Sequence, residues 1–291
     1  MIYTIGNKNV TMQVASRGAE VQSVRTAEQE YTWCGDPAHW PKRAPLLFPI
    51  VGRTENGYVK IEGEKYEMDT HGFLSSMEFA LVSQSEERLV LVASFDTLTL
   101  KQYPYKFEVQ ATYEVLEQGY QMSYEIRNLD DRTMAYGFGL HPSFMCYREE
   151  QDRIEDFYVT FDETFSMHKP YRMPSALVDF SRRIPIMDNS NRIDLKQEYF
   201  HLDALIMDHI NYHQVELHHK ERGLVVSCDI EGFDWFNIWR FEDSPFVCLE
   251  PWCSMHGTHP FAENIEDHES TKYLEKGEKK NCQMKIRLGD L

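Results

Sequence analysis

Alternation of apolar and polar residues with a period of two runs through most of this chain and predicts strands. Phe107, Val109, Ala111, Tyr113 and Val115 share one face, with Glu108, Gln110, Thr112 and Glu114 on the other. After Glu117-Gln118-Gly119 the pattern resumes, Tyr120, Met122, Tyr124 and Ile126 opposing Gln121, Ser123 and Glu125. Two such runs around a glycine turn predict an antiparallel hairpin. The same signature recurs at Leu224, Val226, Cys228 and Ile230, and at Cys282, Met284, Ile286 and Leu288. Tyr58 to Tyr66 brackets Glu62-Gly63-Glu64 as another hairpin, and Met77 to Val82 pairs with Leu89 to Phe95. Helical periodicity is scarce, with short turns expected only at Thr97 to Tyr103 and Leu195 to Phe200.

No Pro/Gly/Ser-rich linker interrupts the strand signals. Residues 1–291 are therefore read as one large antiparallel β domain, either two packed sheets or a barrel. Tyr147 to Asn191 is the least regular stretch and is expected to carry long loops. Ser254 to Ser270, polar and histidine-rich, is expected to be irregular as well.

Composition narrows the class of partner. Aromatic residues reach 13%, which suits a pleated, half-buried surface and a site that stacks on flat faces. The formal net charge of −17 repels phosphate backbones and anionic lipid, so neither nucleic acid nor membrane is expected as a partner. A local arginine pair can still attract a small anion within a Debye length. No apolar run approaches the ~20 residues of a membrane span, and the polar start does not read as a signal peptide. Six scattered cysteines without a CxxC pair suggest core hydrophobes at Cys228, Cys248 and Cys282 and a cytoplasmic location.

Five stretches place polar groups in apolar company. Phe246-Val247-Cys248-Leu249-Glu250-Pro251-Trp252 reads as a buried strand ending in a carboxylate, because proline holds the preceding residue extended. A carboxylate is expensive to bury unless it is paired, so Glu250 is either a salt-bridged terminus or a reactive group. Gly139-Leu140-His141-Pro142 sets a histidine before a proline in the same way, where it could exchange a proton near neutral pH. His71 precedes Gly72, which permits close approach of a ligand. Asp203 leads an apolar run, and Arg43 and Arg53 bracket another that two prolines interrupt. A carboxylate and two histidines on separate strands suit general acid–base catalysis, although spacing alone does not bring them together. His256, His259 and Glu263 form a weaker metal candidate. No G-x-S-x-G, GxxxxGK[ST] or GxGxxG motif occurs.

Taken in order, Leu-Phe-Pro-Ile-Val-Gly-Arg (47–53), His-Gly-Phe (71–73), Gly-Leu-His-Pro-Ser-Phe (139–144), Asp-Ala-Leu-Ile (203–206) and Val-Cys-Leu-Glu-Pro-Trp (247–252) resemble the aldose 1-epimerase (galactose mutarotase) family, most closely its LacX-like branch. The resemblance implies an all-β fold, a large antiparallel β-sandwich, with no metal or nucleotide cofactor. It also implies interconversion of the α and β anomers of an aldohexose. Glu250 would take the proton from the C1 hydroxyl, His141 would protonate the ring oxygen, and His71 and Asp203 would hold hydroxyls.

One departure stands out. Such enzymes carry an Asn-Arg pair after Gly-Arg, whereas Gly52-Arg53-Thr54-Glu55-Asn56 is followed here by Gly57. Arg53 or Arg43 would substitute. Arg43 falls in an Arg-x-Pro-x-x-Phe-Pro pattern similar to the hexose-6-phosphate epimerase branch, so a phosphorylated sugar stays open as the partner. A non-catalytic sugar-binding protein on the same scaffold, and a glycosidase using Asp203 and Glu250, are the competing readings.

Overall fold

The structure, a computed structural model, describes residues 1–201 and 204–289. The predicted hairpin forms between Phe107–Leu116 and Gly119–Asn128, with Gly119 opposite Leu116. Its apolar face is buried and its polar face stays accessible to solvent, which is what the alternation demands.

This hairpin lies within a nine-stranded antiparallel sheet. In spatial order the strands are Val178–Asp194, Phe157–Arg172, Gln214–His219, Gly223–Glu231, Lys279–Leu288, Gly119–Asn128, Phe107–Leu116, Arg88–Ser94 and Ala80–Gln84. A second sheet runs Leu205–Asp208, Trp235–Trp239, Phe246–Trp252, Gly139–Leu140 and Leu46–Leu47, with Ser143–Met145 also paired to Phe246–Trp252. The two sheets share one apolar cluster. Val247, Leu249, Phe236 and Ile238 of the second sheet belong to it, together with Val109, Tyr124, Ile126 and Met284 of the first. Aromatic pairs bind the layers together, Phe48 with Phe107 at 4.9 Å and Tyr124 with Phe138 at 5.5 Å between ring centroids. The large antiparallel β-sandwich expected from the motifs is therefore the fold.

Residues 147–191, expected to be loops, instead contain most of the two longest strands, Phe157–Arg172 and Val178–Asp194. Their register shifts at four points, and each shift resets the period of two. Exposed positions such as Asp162, Glu163 and Thr164 also leave no continuous apolar face to read. The turn of this hairpin, around Ala176, folds back so that Val178 donates its N–H to Gly257 O at 2.8 Å. The short helical turns appear at Thr99–Gln102 and, as a 3-10 turn, at Gln197–Tyr199. No helix among the described residues is long and apolar enough to cross a membrane.

Candidate active site

The site grows out of the alternation in the second sheet. In Phe246–Trp252, Val247 and Leu249 face the shared core, so Cys248, Glu250 and Trp252 point the other way. Glu250 does not end this strand, as its proline had suggested. Pairing continues to Trp252, which lies opposite Trp235. The effect of proline falls on the neighbouring strand. Pro142 and Pro251 each lack a ladder N–H, and there the partner splits into Gly139–Leu140 and Ser143–Met145.

Register then decides what meets. Gly139 pairs with Trp252 and Ser143 with Cys248, so His141 falls opposite Glu250. On the other flank Glu250 pairs with Asn237, and Asn237 with Ile206. The pairing of Leu140 with Leu46 places Pro45 beyond His141. Pro45, His141, Glu250, Asn237 and Ile206 thus form a single transverse row, and all five line one cavity of about 250 Å³. Trp40, Trp239, Trp252 and Met255 wall it, Ala176 and Val178 approach from the long hairpin, and Lys42 and Arg53 stand exposed at the mouth.

His141 Nε2 lies 3.3 Å from Glu250 Oε2, the carboxylate being fully buried and the imidazole nearly so. Burial pushes the His141 imidazole well below its usual range, and His71 and Lys42 reinforce that direction. An ionised carboxylate at this distance would act oppositely, favouring the imidazolium.

His71 sits with φ +66°, a left-handed conformation that is uncommon outside glycine. It is held there by backbone bonds, its N–H donating to Gly52 O at 2.9 Å and its carbonyl accepting from Phe48 N–H at 3.2 Å. Its Nδ1 accepts from Gly52 N–H at 3.1 Å, which leaves Nε2 as the protonated nitrogen. Burial, followed by the Lys42 and Arg53 cations, pushes its pKa down to about 3. His71 is therefore a neutral donor at physiological pH.

Of the residues singled out from sequence, His71, His141, Glu250 and Arg53 converge on this cavity. Arg43 does not line it, and its Nη1 donates instead to Gln22 Oε1 at 2.8 Å. Asp203 lies outside the described residues. His256, His259 and Glu263 do not gather. His256 Nδ1 accepts from Val51 N–H and its Nε2 meets Thr271 Oγ1, while Glu263 pairs with Lys60 and Tyr58.

Two closer groupings of ligand-type atoms exist among the described residues. In the set of His141, Cys248 and Glu250, burial raises the Cys248 thiol well above its usual range and keeps it protonated. In the set of Asp152, Asp156 and His219, Asp152 is ion-paired to Arg222 at 2.5 Å. Asn237 escaped the sequence reading. It is 2% exposed with Oδ1 unpartnered, and an amide between Phe236 and Ile238 in a tryptophan-rich strand was its only signal.

The family model described as aldose 1-epimerase matches residues 1–287. The plasmid and chromosomal LacX proteins of Lactococcus lactis subsp. lactis are each 28% identical over 276 residues, covering 92% of this chain and 92% of theirs. A galactose mutarotase related enzyme from Lactobacillus acidophilus superimposes with a TM-score of 0.91 at 26% identity, over 100% of this chain and 98% of that one. A galactose mutarotase-like protein from Lactobacillus casei gives 0.90 at 23% identity, over 99% and 100% of the two chains.

Proposed function

The chain belongs to the aldose 1-epimerase family, and on that premise we propose that it interconverts the α and β anomers of an aldohexose. The observation that carries the reading is the 3.3 Å approach of His141 Nε2 to Glu250 Oε2 on the floor of the cavity. The two reacting oxygens of a cyclic aldose, O1 and O5, share one carbon, so an acid and a base in contact can serve both.

Glu250 takes the O1 proton. The O1 electron pair forms the C1=O1 double bond, the C1–O5 bond breaks, and O5 takes a proton from His141 Nε2. Rotation about C1–C2 presents the opposite face of the aldehyde. O5 then attacks C1 and returns its proton to His141, while O1 recovers its proton from Glu250. No proton is gained or lost over the cycle. The working state holds one proton on the pair, with Glu250 ionised and His141 charged. His71, neutral with Nε2–H directed to the cavity side, is a donor for O5 or a neighbouring hydroxyl. Asp203 is assigned to hydroxyl binding from the motif that contains it.

A second reading concerns the sugar itself. Lys42 and Arg53 stand at the mouth and neither is ion-paired among the described residues, in a protein of charge −17. That favours a substrate with an anionic group, a hexose 6-phosphate, with Arg53 rather than Arg43 as the cavity-lining arginine. Freshly dissolved α-glucose, α-galactose and their 6-phosphates, followed by polarimetry or NMR, test both readings. Acceleration of at least one sugar over buffer is expected. If none equilibrates faster, the epimerase reading fails, and if the 6-phosphates gain nothing over the neutral sugars, the anionic reading fails.

A further inference from the structure

A histidine that works as an acid must be aimed, and it is usually aimed by a hydrogen bond to its second ring nitrogen. His141 Nδ1 is buried and finds no partner beyond its own backbone. What surrounds the ring is aromatic. Trp40 stacks on its face with centroids 4.8 Å apart and planes at 28°. Trp239 meets it edge-on at 5.4 Å and 80°, and His71 at 5.9 Å and 88°.

Trp40 is itself built in. Its carbonyl accepts Trp33 Nε1–H at 2.8 Å, and its ring stacks on Phe246 at 5.6 Å and abuts Trp239 at 5.4 Å. The indole is thus clamped between the strand that carries Glu250 and the ring of His141.

We infer that Trp40 is a positioning residue for the His141 acid, aiming the imidazole by stacking and stabilising its charged form through the indole face. This inference rests on the assignment of His141 as the proton donor. Cations over indole are favoured, more strongly when shielded from water. The titratable and charged groups facing His141 are Glu250, which favours the imidazolium, Lys42 and the neutral His71, which do not, and the protonated Cys248 thiol, which carries no charge. Trp40 opposes burial by supplying an attractive surface where no hydrogen bond from a neighbouring residue reaches Nδ1.

The test replaces Trp40 by Phe, which keeps a face, and by Leu, which does not, and reads two independent quantities. The first is the pH dependence of the His141 Cε1–H resonance by NMR, assigned by its loss in His141→Asn. The second is kcat and KM for anomer exchange. Trp40→Leu is expected to lower the apparent pKa of His141 by about half to one pH unit. It should reduce kcat roughly tenfold with KM changed less than about threefold, and Trp40→Phe should recover most of both. An unmoved His141 titration in a folded Trp40→Leu protein overturns the inference, as does equal impairment of the two variants. The titration stands whether or not any sugar is turned over, so failure of the epimerase reading leaves a separate signature. Should Trp40→Leu not fold, Trp40→Phe beside Trp40→Tyr reads the same resonance with faces of different strength, and identical titrations in those two and the parent overturn it.

Discussion

Glu250 and Asn237 lie directly opposite each other on adjacent strands, both almost fully buried and both turned away from the core toward one cavity. A carboxylate and an amide on the same transverse row bring two chemistries to the cavity, one suited to moving a proton and the other to fixing a hydroxyl.

Glu250→Gln preserves shape and removes the proposed base. Anomer exchange is expected to fall by about 10²–10⁴ while sugar binding persists. Polarimetry beside calorimetric titration checks this, and a variant with near-parent rates would move the base to another residue.

Asn237 is expected to act on binding. Its unpartnered Oδ1 is a hydrogen-bond acceptor awaiting a hydroxyl. Asn237→Leu should reduce kcat/KM by about tenfold, corresponding to about 1–2 kcal/mol for one lost hydrogen bond, chiefly through KM. Unchanged KM for every aldose in the panel would exclude contact with the sugar.

Stability should fall on mild acidification. Burial holds His256 well below its usual range and His71 at about 3, so both are neutral in the fold. Unfolded histidine titrates near 6.5, so the unfolded chain binds these protons first. The stabilisation is therefore complete above about pH 6.5 and lost progressively as pH drops toward the folded values. Thermal melts from about pH 7.5 to 5 should show a falling midpoint, and His256→Asn should flatten the slope. Parallel curves for the two proteins would remove His256 from the explanation.

Gly72 and Gly57 offer a matched comparison. Both have positive φ, +71° and +76°. A Cβ on Gly72 would lie 2.1 Å from Phe48 O, whereas one on Gly57 meets nothing within 4 Å. Gly57→Ala should cost about 1 kcal/mol from backbone strain alone. Gly72→Ala should cost appreciably more, lower the melting midpoint by more than the roughly 2–4 °C that about 1 kcal/mol costs a large domain, and depress sugar affinity, because it displaces His71. Equal midpoints for the two variants would contradict this.

How much of this was legible depended on where two-fold alternation survived. Phe107 to Ile126 has one wet and one dry face, so its hairpin could be read directly. Val178 to Asp194 is mostly wet on both faces, Phe157 to Arg172 loses its buried face after Phe161, and the pairing of the two shifts register repeatedly, so these strands were hidden. The proline after Glu250 carried a true signal about backbone shape, but its consequence fell on the partner strand, which a one-dimensional pattern does not contain. His141 and Glu250 were visible as unusual residues. Their contact is a property of cross-strand register, which is why Asn237, ordinary in its own segment, came to light only with the pairing.

That row also divides the labour along each strand. In Trp235–Trp239 and Phe246–Trp252, Phe236, Ile238, Val247 and Leu249 face the shared core, and the alternating Asn237, Trp239, Glu250 and Trp252 line the cavity. Pro45, Asn237 and Ile206 can therefore be exchanged to retune the ligand with little disturbance to the layer beneath. A single-residue deletion in either strand is a different matter. It would slide Phe236 or Leu249 into the cavity and drive Asn237 or Glu250 into the apolar interior, so specificity can drift by substitution but not by a change in length.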